Sequence, residues 1–327
     1  MVTSFEPDQQ LLDTTAHLLT DCAPPDLPAT LVESGWLEMW EEDRETAARA
    51  LFGQQGRMAQ SSPMLSKLMG PVLTDSADLD LTVLLPSLSD GAQGFSNGHA
   101  KNVRVIAQAD ALTYATSALA VVRLADELEL VRIEVPQGSA TPVDGLDPDA
   151  RLCILDITEL LTKGEVLAAG GEAEKRRSAA VALGRRLLAE EMIGVVAAQL
   201  DSAAEHARSR AQFGRPIGSF QAVKHKLAET HVALAIARLA VVEAWSDPDP
   251  VASLMAKVHA GAAVGIANRH CQQVLGGIGF TWEHSFHHYY RRGRTLDALL
   301  GSSGDLTGVV GQAINATGAM PVTAQLR

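Results

Sequence analysis

Apolar residues recur at helical spacing in the second half of the chain. After Ser219, a candidate N-cap, they follow one another at intervals of three, four and seven positions, which places them on one helix face. They are Phe220, Val223, Leu227, Leu234 and Val241. Prolines within 246–250 end this helix, and a further helix ends at Gly276-Gly277. The pattern predicts a bundle of long helices from about residue 178 to about 300, with no strand between 220 and 270.

In the first half of the chain the hydrophobic pattern changes from a helical to a β-strand type. Residues from about 5 to 70 carry helical periodicity, whereas short runs rich in β-branched residues follow. These runs are 81–85, 103–107, 119–124, 128–135 and 151–157. Gly, Pro, Asn and Asp loops separate them, which predicts an antiparallel barrel or sandwich. We therefore expect an α+β fold with an N-terminal helical region (1–75), a central antiparallel β domain (76–165), a linker near 163–177 and a C-terminal four-helix bundle (170–327).

Charge and cysteine content narrow the classes of function. The formal net charge is −12 and the isoelectric point is about 5.3, which opposes binding to nucleic acid or to an anionic membrane. An anionic ligand would need a local basic patch. The three cysteines form no CxxC pair, as expected for reduced thiols. The polar N-terminus does not resemble a signal peptide, and no apolar run approaches a membrane span, so the sequence predicts a cytoplasmic protein.

The segment 210–228 combines a turn with two groups that can reach outward. It reads RAQFGRPI at 210–217 and SFQAVKHKLA at 219–228. Gly214 can adopt a backbone conformation closed to other residues, and Pro216 stiffens the turn. The Arg210 guanidinium at a helix end suits a pyrophosphate, although an arginine in a helix connection can equally be solvated.

A second segment, QVLGGIGF at 273–280, places glycines directly after a helix. Consecutive glycines let main-chain N–H groups approach an anion, because no Cβ stands in the way. By itself the pattern more often marks a helix C-cap and turn.

Together the two segments resemble the RxQFGxPIxxFQxxKxxLA and QxxGGxGF stretches of acyl-CoA dehydrogenases, and the likeness covers about residues 178–303. The resemblance implies FAD as cofactor, an acyl-CoA substrate that becomes a 2-enoyl-CoA, and an oligomer. In this family the two segments contact the FAD bound mainly by a neighbouring subunit. The residues of this chain that match those contacts are Arg210, Gln212, Phe213, Gln221, Gln273, Gly276 and Gly277.

The chain departs from the family pattern at the positions that carry the chemistry. A family Glu removes the α-proton while the flavin accepts the β-hydride; here that position is Leu300, and the alternative base position is Gly184. Neither side chain can accept a proton, so we predict no catalytic residue in this chain. Arg185 matches a retained arginine of the substrate region. The flavin-ring motifs of the β domain are also absent, since LLPSLSDGAQGF and ADALTYATSA stand in their place, and the N-terminal region is short.

This combination resembles the short, base-lacking subunits of actinobacterial heteromeric (α2β2) acyl-CoA dehydrogenases, many of them linked to steroid degradation. It implies a homologous partner subunit that supplies the base, with FAD shared with that partner or bound mainly by it, and with this chain inactive alone. The alternatives are a homo-oligomer, or a non-catalytic scaffold that has lost flavin.

Two charged segments could be interpreted as a metal site and as an acid–base pair. In 283–292, His284 and His288 stand four residues apart as metal ligands would, but an ordinary bundle helix is favoured, and no metal site is predicted. The pair Glu190-Glu191 could serve acid–base chemistry. Adjacent helical residues do not share a face, so we expect solvated charges.

Overall fold

The computed structural model describes residues 9–76, 81–88, 103–113, 117–124, 127–143 and 145–317. Five helices come first, before any strand. They are α1 (Gln9–Asp21), α2 (Leu27–Glu33), α3 (Trp36–Glu42), α4 (Arg44–Met58) and α5 (Met64–Thr74). The Asp43 carboxylate accepts a hydrogen bond from the Thr46 N–H (3.0 Å) and so caps the first turn of α4.

The strands form one seven-stranded sheet in the order β5-β6-β2-β1-β3-β4-β7. They are β1 (Thr82–Pro86), β2 (Arg104–Gln108), β3 (Ser117–Leu124), β4 (Glu127–Glu134), β5 (Thr141–Pro142), β6 (Leu152–Asp156) and β7 (Glu165–Ala169). The short helices α6 (Ala109–Leu112) and α7 (Thr158–Leu161) lie between strands.

The sheet is mixed, so the expectation of a fully antiparallel β domain was wrong in one pairing. β1 pairs antiparallel with β2 but parallel with β3, with Val83 opposite Leu119. The chain passes from β2 across β1 to β3. Alternation of apolar residues reports which positions are buried, but not which strand lies beside which, and therefore missed this crossover.

Residues 163–177, predicted as a linker, instead form β7 and the first turns of α8 (Gly170–Ser209). Gly170 adopts a φ of 56° at the change from strand to helix. The glutamates, lysine and arginines of 172–177 are strong helix formers, and here that propensity prevails.

The C-terminal part is helical, which confirms the predicted bundle. Its further helices are α9 (Gln221–Ser246), α10 (Pro250–Leu275), α11 (Phe286–Ala298) and α12 (Ser303–Thr317). No strand lies between 220 and 270. Ser219 is not the N-cap of α9: it lies in a 3₁₀ turn, its hydroxyl donates to the Pro216 carbonyl, and Phe220 takes the cap position without a side-chain bond.

Helix α8 is the axis of the molecule. Every residue from 180 to 197 is buried, because helices α4, α5, α9, α10 and α11 pack around it. Its crossing with α4 is very close: a Cβ on Gly56 would lie 2.0 Å from the Glu191 carbonyl oxygen, and one on Gly194 would lie 2.1 Å from that of Gly53. Only glycine fits at these two positions.

The segment Pro250–Phe280 is long and apolar enough to span a membrane by length and composition, which corrects the expectation that no run approaches that length. In this fold 56% of its most apolar window is buried, and α10 packs along α8 and α9. Its hydropathy is therefore accounted for by core packing.

Candidate functional site

The segment after α8 forms a small hairpin. Strand β8 (Ala211–Gln212) pairs with β9 (Arg215–Pro216), and the two tip residues have positive φ values of 52° for Phe213 and 78° for Gly214. The Ile217 N–H donates to the Arg210 carbonyl (2.8 Å) and closes the base of the hairpin. Aromatic packing supports it, since the Arg215 guanidinium lies 4.3 Å from the centre of the Phe220 ring.

The second motif forms the turn after α10. Gly276 is the C-cap with a φ of 63°, and a 3₁₀ turn follows over Gly276–Phe280. A Cβ on Gly276 or Gly277 would meet nothing within 4 Å, so this backbone is open to a ligand or partner. Phe280 and Trp282 are each 78% exposed beside it.

Both motifs lie at the same end of the bundle. α9 and α10 are antiparallel neighbours, and the His270 ring lies 3.2 Å from the Lys226 carbonyl, near the start of one helix and the end of the other. Burial and the nearby charges of Arg210 and His284 lower the pKa of His206, which stands near the end of α8. The end of α8 therefore lies in the same region. We name this surface, made by 210–221 and 273–282, the motif face.

The predicted cofactor residues all lie on the motif face, and most are exposed. Arg210, Gln212, Gln221, Gln273 and Gly277 are exposed, Gly276 is half-buried and Phe213 is 93% exposed. Such an arrangement can offer a guanidinium, amides and free backbone N–H groups to a phosphate that comes from outside the chain. Their role as FAD ligands stays a prediction.

Leu300, the predicted base position, lies inside the protein, at a closed cleft. Leu300 is 2% exposed, has a φ of 54°, and accepts a hydrogen bond at its carbonyl from Arg185 Nε (3.1 Å). A Cβ on Gly184 would lie 2.6 Å from Leu300 Cδ1 and 2.8 Å from Met69 Sδ. The remaining cavity, also bounded by β1, measures about 20 Å³. That volume holds about one water molecule.

Lys257 fixes the loop that carries Leu300. Its Nζ is fully buried and donates to the carbonyls of Asp297 and Gly301, each at 2.9 Å. The Asp297 carboxylate in turn accepts from the N–H (3.0 Å) and hydroxyl (3.2 Å) of Ser303. Burial lowers the pKa of Lys257 to about 7, against the opposing charge of Asp297. The loop is thus tied to α10 and α12 at both ends.

Distance separates the closed cleft from the motif face. Gly184 and Arg210 are joined by a continuous stretch of α8. At a rise of about 1.5 Å per residue the two positions are about 39 Å apart along the helix. The motif face therefore lies far from the position where this chain's own base would be.

Two buried carboxyls were missed by the sequence analysis. Glu190 and Glu191 are 2% and 5% exposed, so the expectation of solvated charges was wrong. Adjacent positions do face different directions, but α8 has no solvent face there, because helices surround it. Burial raises the pKa of each glutamate to about 7. The sequence did carry an indication that Glu191 is buried. Leu187 and Val195 stand four residues before and after Glu191, which puts Glu191 on an apolar helix face.

Glu191 belongs to a network that joins the three parts of the fold. Arg292 from α11 is 1% exposed and bonds to the Asp147 carboxylate (2.6 Å), the Gln60 carbonyl (2.6 Å) and Glu191 Oε1 (3.4 Å). These partners come from a loop of the β region, the turn that follows α4 and the middle of α8. The network is a structural clamp rather than an exposed acid–base pair.

The histidine-rich segment precedes and begins α11. His288 Nδ1 lies 3.1 Å from Asp149 Oδ2, and the His284 carbonyl lies 2.8 Å from His287 Nδ1. Over the part of the chain that the structure describes, no three His, Cys, Asp or Glu side chains are grouped as metal ligands. Residues 89–95 and 114–116, which belong to the stretches 84–95 and 109–118 that stand in place of the flavin-ring motifs, lie outside the described residues.

Comparison with known families identifies the helical part. Residues 177–314 match the family model "Acyl-CoA dehydrogenase, C-terminal domain". This part of the chain belongs to the acyl-CoA dehydrogenase family. Acyl-CoA dehydrogenase IpdE2 of Mycobacterium tuberculosis is 40% identical over 166 residues, which is 50% of this chain and 48% of that protein. The chain thus spans about half the length of this relative, and smaller shares of others.

Comparison with solved structures shows that the likeness in fold extends over most of the chain. The "Tcur3481-Tcur3483 steroid ACAD G363A variant" aligns with a TM-score of 0.74 at 20% identity, covering 94% of this chain and 98% of that one. The ChsE4-ChsE5 complex from Mycobacterium tuberculosis aligns with a TM-score of 0.69 at 18% identity, covering 97% and 100%. At these identities the likeness establishes the acyl-CoA dehydrogenase fold, which confirms the α+β prediction apart from the parallel strand pair.

Proposed function

We propose that this chain is a subunit of an FAD-dependent acyl-CoA dehydrogenase, and that it completes FAD sites held mainly by a homologous partner subunit. The observation that carries the proposal is the distance between the motif face and the closed cleft. The motif face is open and exposed, whereas the cleft about 39 Å away along α8 is closed by Leu300 and Met69. The chain can therefore contact a cofactor without housing the reaction.

The residues of the motif face fit the diphosphate part of FAD. Arg210 would supply a charge-assisted hydrogen bond, Gln212, Gln221 and Gln273 would supply amide groups, and the turn at Gly276-Gly277 would offer backbone N–H groups. The exposed Phe213 would cover apolar surface beside them. The closed cleft does not fit the ring part, because about 20 Å³ cannot admit an aromatic ring system.

In the assembled enzyme an acyl-CoA would lose its α-proton to a partner carboxylate and become the 2-enoyl-CoA. FAD, when bound, supplies the acceptor for the hydride that leaves the β-carbon. This chain's residues bind and orient; none moves the proton, because Leu300 and Gly184 occupy both base positions. Arg185 holds the loop through the Leu300 carbonyl, so its role here is structural.

Heteromeric relatives support the choice of a partner. The names of the two structural neighbours describe a complex of two proteins and a paired steroid enzyme. A steroid or other lipid acyl-CoA is accordingly the substrate class we favour, and a cytoplasmic location fits it.

The proposal is tested by purifying the chain alone and together with a candidate homologous partner, and recording a flavin spectrum of each. We expect flavin absorbance and ferrocenium reduction with acyl-CoA esters only in the co-purified sample. Ordinary turnover by the isolated chain would refute the proposal.

The closed cleft also favours a second candidate, a non-catalytic scaffold that keeps the bundle for assembly alone. It predicts that an assembly active with the wild-type chain keeps its flavin when Arg210 is replaced by alanine. Loss of flavin in that variant, with the assembly intact, excludes the scaffold.

A further inference from the structure

A cavity of about 420 Å³ lies between α1, α4, α8 and α9, apart from both the motif face and the closed cleft. Its size falls within the range of small-molecule sites. Exposed Gln9, Asp13 and Arg57 form the mouth, and Glu190 lies at the buried inner end. Gly53 and Gly194 both line the cavity, and a Cβ on Gly194 would lie 2.1 Å from the Gly53 carbonyl oxygen, so this close approach sets the distance between α4 and α8.

Three arginines line the cavity and carry positive charge. Arg49 and Arg57 stand two turns apart on α4, on either side of Gly53, and Arg238 reaches the cavity from α9. Arg57 pairs with Asp201 at 3.1 Å, with side chains 41% and 69% exposed. An exposed pair of this kind contributes little to stability, so an entering anion can replace Asp201 at little cost.

Glu190 is the acidic group that an anion would meet inside. Its contacts with Trp245 Nε1 (3.2 Å) and Arg49 Nε (3.8 Å) both use Oε1. The charged groups facing it are Glu45 and Arg49 from α4, Arg238 from α9 and, across the cavity, Asp13 from α1. Burial is the main reason that its pKa lies near 7, so a neutral Glu190 is readily available near neutral pH.

The remaining wall is apolar except for Gln54 of α4. Leu12 and Ala16 of α1 face Ile193 of α8 and Val242 of α9 across the cavity. A ligand that fills the space therefore needs an apolar body as well as a charged end.

We propose that this cavity binds a small carboxylate with a short, unbranched apolar body, its charge towards the arginines, and that Glu190 takes up one proton when it binds. The site is independent of the proposed FAD contacts. A bound carboxylate would repel an ionised Glu190 in a region of low dielectric, and protonation removes that repulsion. Affinity should consequently fall as pH rises above 7, approaching tenfold for each pH unit.

Calorimetric titration of the full chain with hexanoate, near pH 6 and near pH 8, tests the proposal. Buffers of different ionisation enthalpy report the proton uptake. We expect at least tenfold weaker binding near pH 8. Hexanol, which has the apolar body without the charge, and inorganic phosphate, which has charge without the body, should both bind at least tenfold more weakly than hexanoate at the lower pH.

Variants locate the site. Glu190→Gln should bind hexanoate at both pH values with the affinity of the wild type near pH 6, because the amide reproduces the neutral side chain. Ala16→Phe, which fills the cavity, and Arg238→Ala should each weaken binding at least tenfold. Arg208→Ala is the matched control, since Arg208 is exposed on α8 and pairs with Glu205.

Several results would overturn the proposal. Hexanol or phosphate binding as tightly as hexanoate would show that the ligand class is wrong. Binding that persists in Ala16→Phe, or a pH dependence that persists in Glu190→Gln, would place the ligand elsewhere. Absence of hexanoate binding in the wild type would refute it outright.

Discussion

Replacing Leu300 with glutamate places a carboxylate at the predicted base position, yet we expect it to destabilise the chain without creating activity. The Leu300 side chain is 2% exposed and fits against Gly184 and Met69, with about 20 Å³ of space beside it. Losing a buried leucine typically costs about 2–5 kcal/mol. Burying a carboxylate adds to this cost. Arg185, already bonded to the carbonyl of residue 300, would offset part of it.

The expected net loss is about 3–5 kcal/mol in the free energy of unfolding near pH 8. Urea denaturation of Leu300→Glu against wild type measures it, and Leu300→Met is the control, since a volume-conserving change should cost below about 1.5 kcal/mol. Ferrocenium reduction across acyl-CoA esters tests activity in the same samples. A stable Leu300→Glu chain that turns over an acyl-CoA alone would show that the cleft is open, and the reasoning would be wrong.

Three further outcomes follow from buried or exposed charges. Arg292→Met should destabilise the chain by about 3–5 kcal/mol in urea, because Asp147 and Glu191 lose their buried cation; an unchanged midpoint would contradict the clamp. Arg210→Ala should weaken FAD retention in the assembly by about 1.5–3 kcal/mol, measured as flavin lost on dilution; equal retention would mean that Arg210 does not contact the cofactor. The folded-state pKa of Glu190, about 7, exceeds the usual 4.5. The contribution of Glu190 to the free energy of unfolding therefore falls as pH rises from 4.5 to 7. Glu190→Gln should thus be more stable than wild type at pH 8, by up to about 3 kcal/mol, with no gain near pH 4.5; equal urea midpoints at pH 8 would refute this.

The helical half could be predicted because its signals are local. Periodicity defined α9 and α10, and the glycines at 214 and 276 marked positions that do adopt positive φ. The role of the other motif residues toward FAD stays a prediction, but these two glycines lie in turns, where the backbone itself requires that residue type. Such requirements can be read without knowing the rest of the fold.

The errors arose where tertiary neighbours decide. The parallel β1–β3 pair depends on which strands become neighbours, and the buried Glu190-Glu191 pair depends on how many helices surround α8. Helical periodicity identifies the faces of a helix, but it cannot state that every face is covered. The closed cleft was not predicted: the sequence analysis named Leu300 and Gly184 as the two predicted base positions, whereas their contact with each other and with Met69 required the structure.

Helix α8 links the closed cleft to the motif face, and this bears on how the assembly would work. Its middle is buried on all sides and locked to α4 by the crossing at Gly56 and Gly194, so it is poorly suited to bend or slide. The loop of Leu300 is tied to it through Arg185 and to α10 through Lys257. A rigid helix can hold Arg210 at a fixed place on the motif face, but it offers no movable element through which a bound cofactor could open the cleft. A chain built in this way is suited to position a ligand at its surface, which is what the proposed role as a non-catalytic subunit requires.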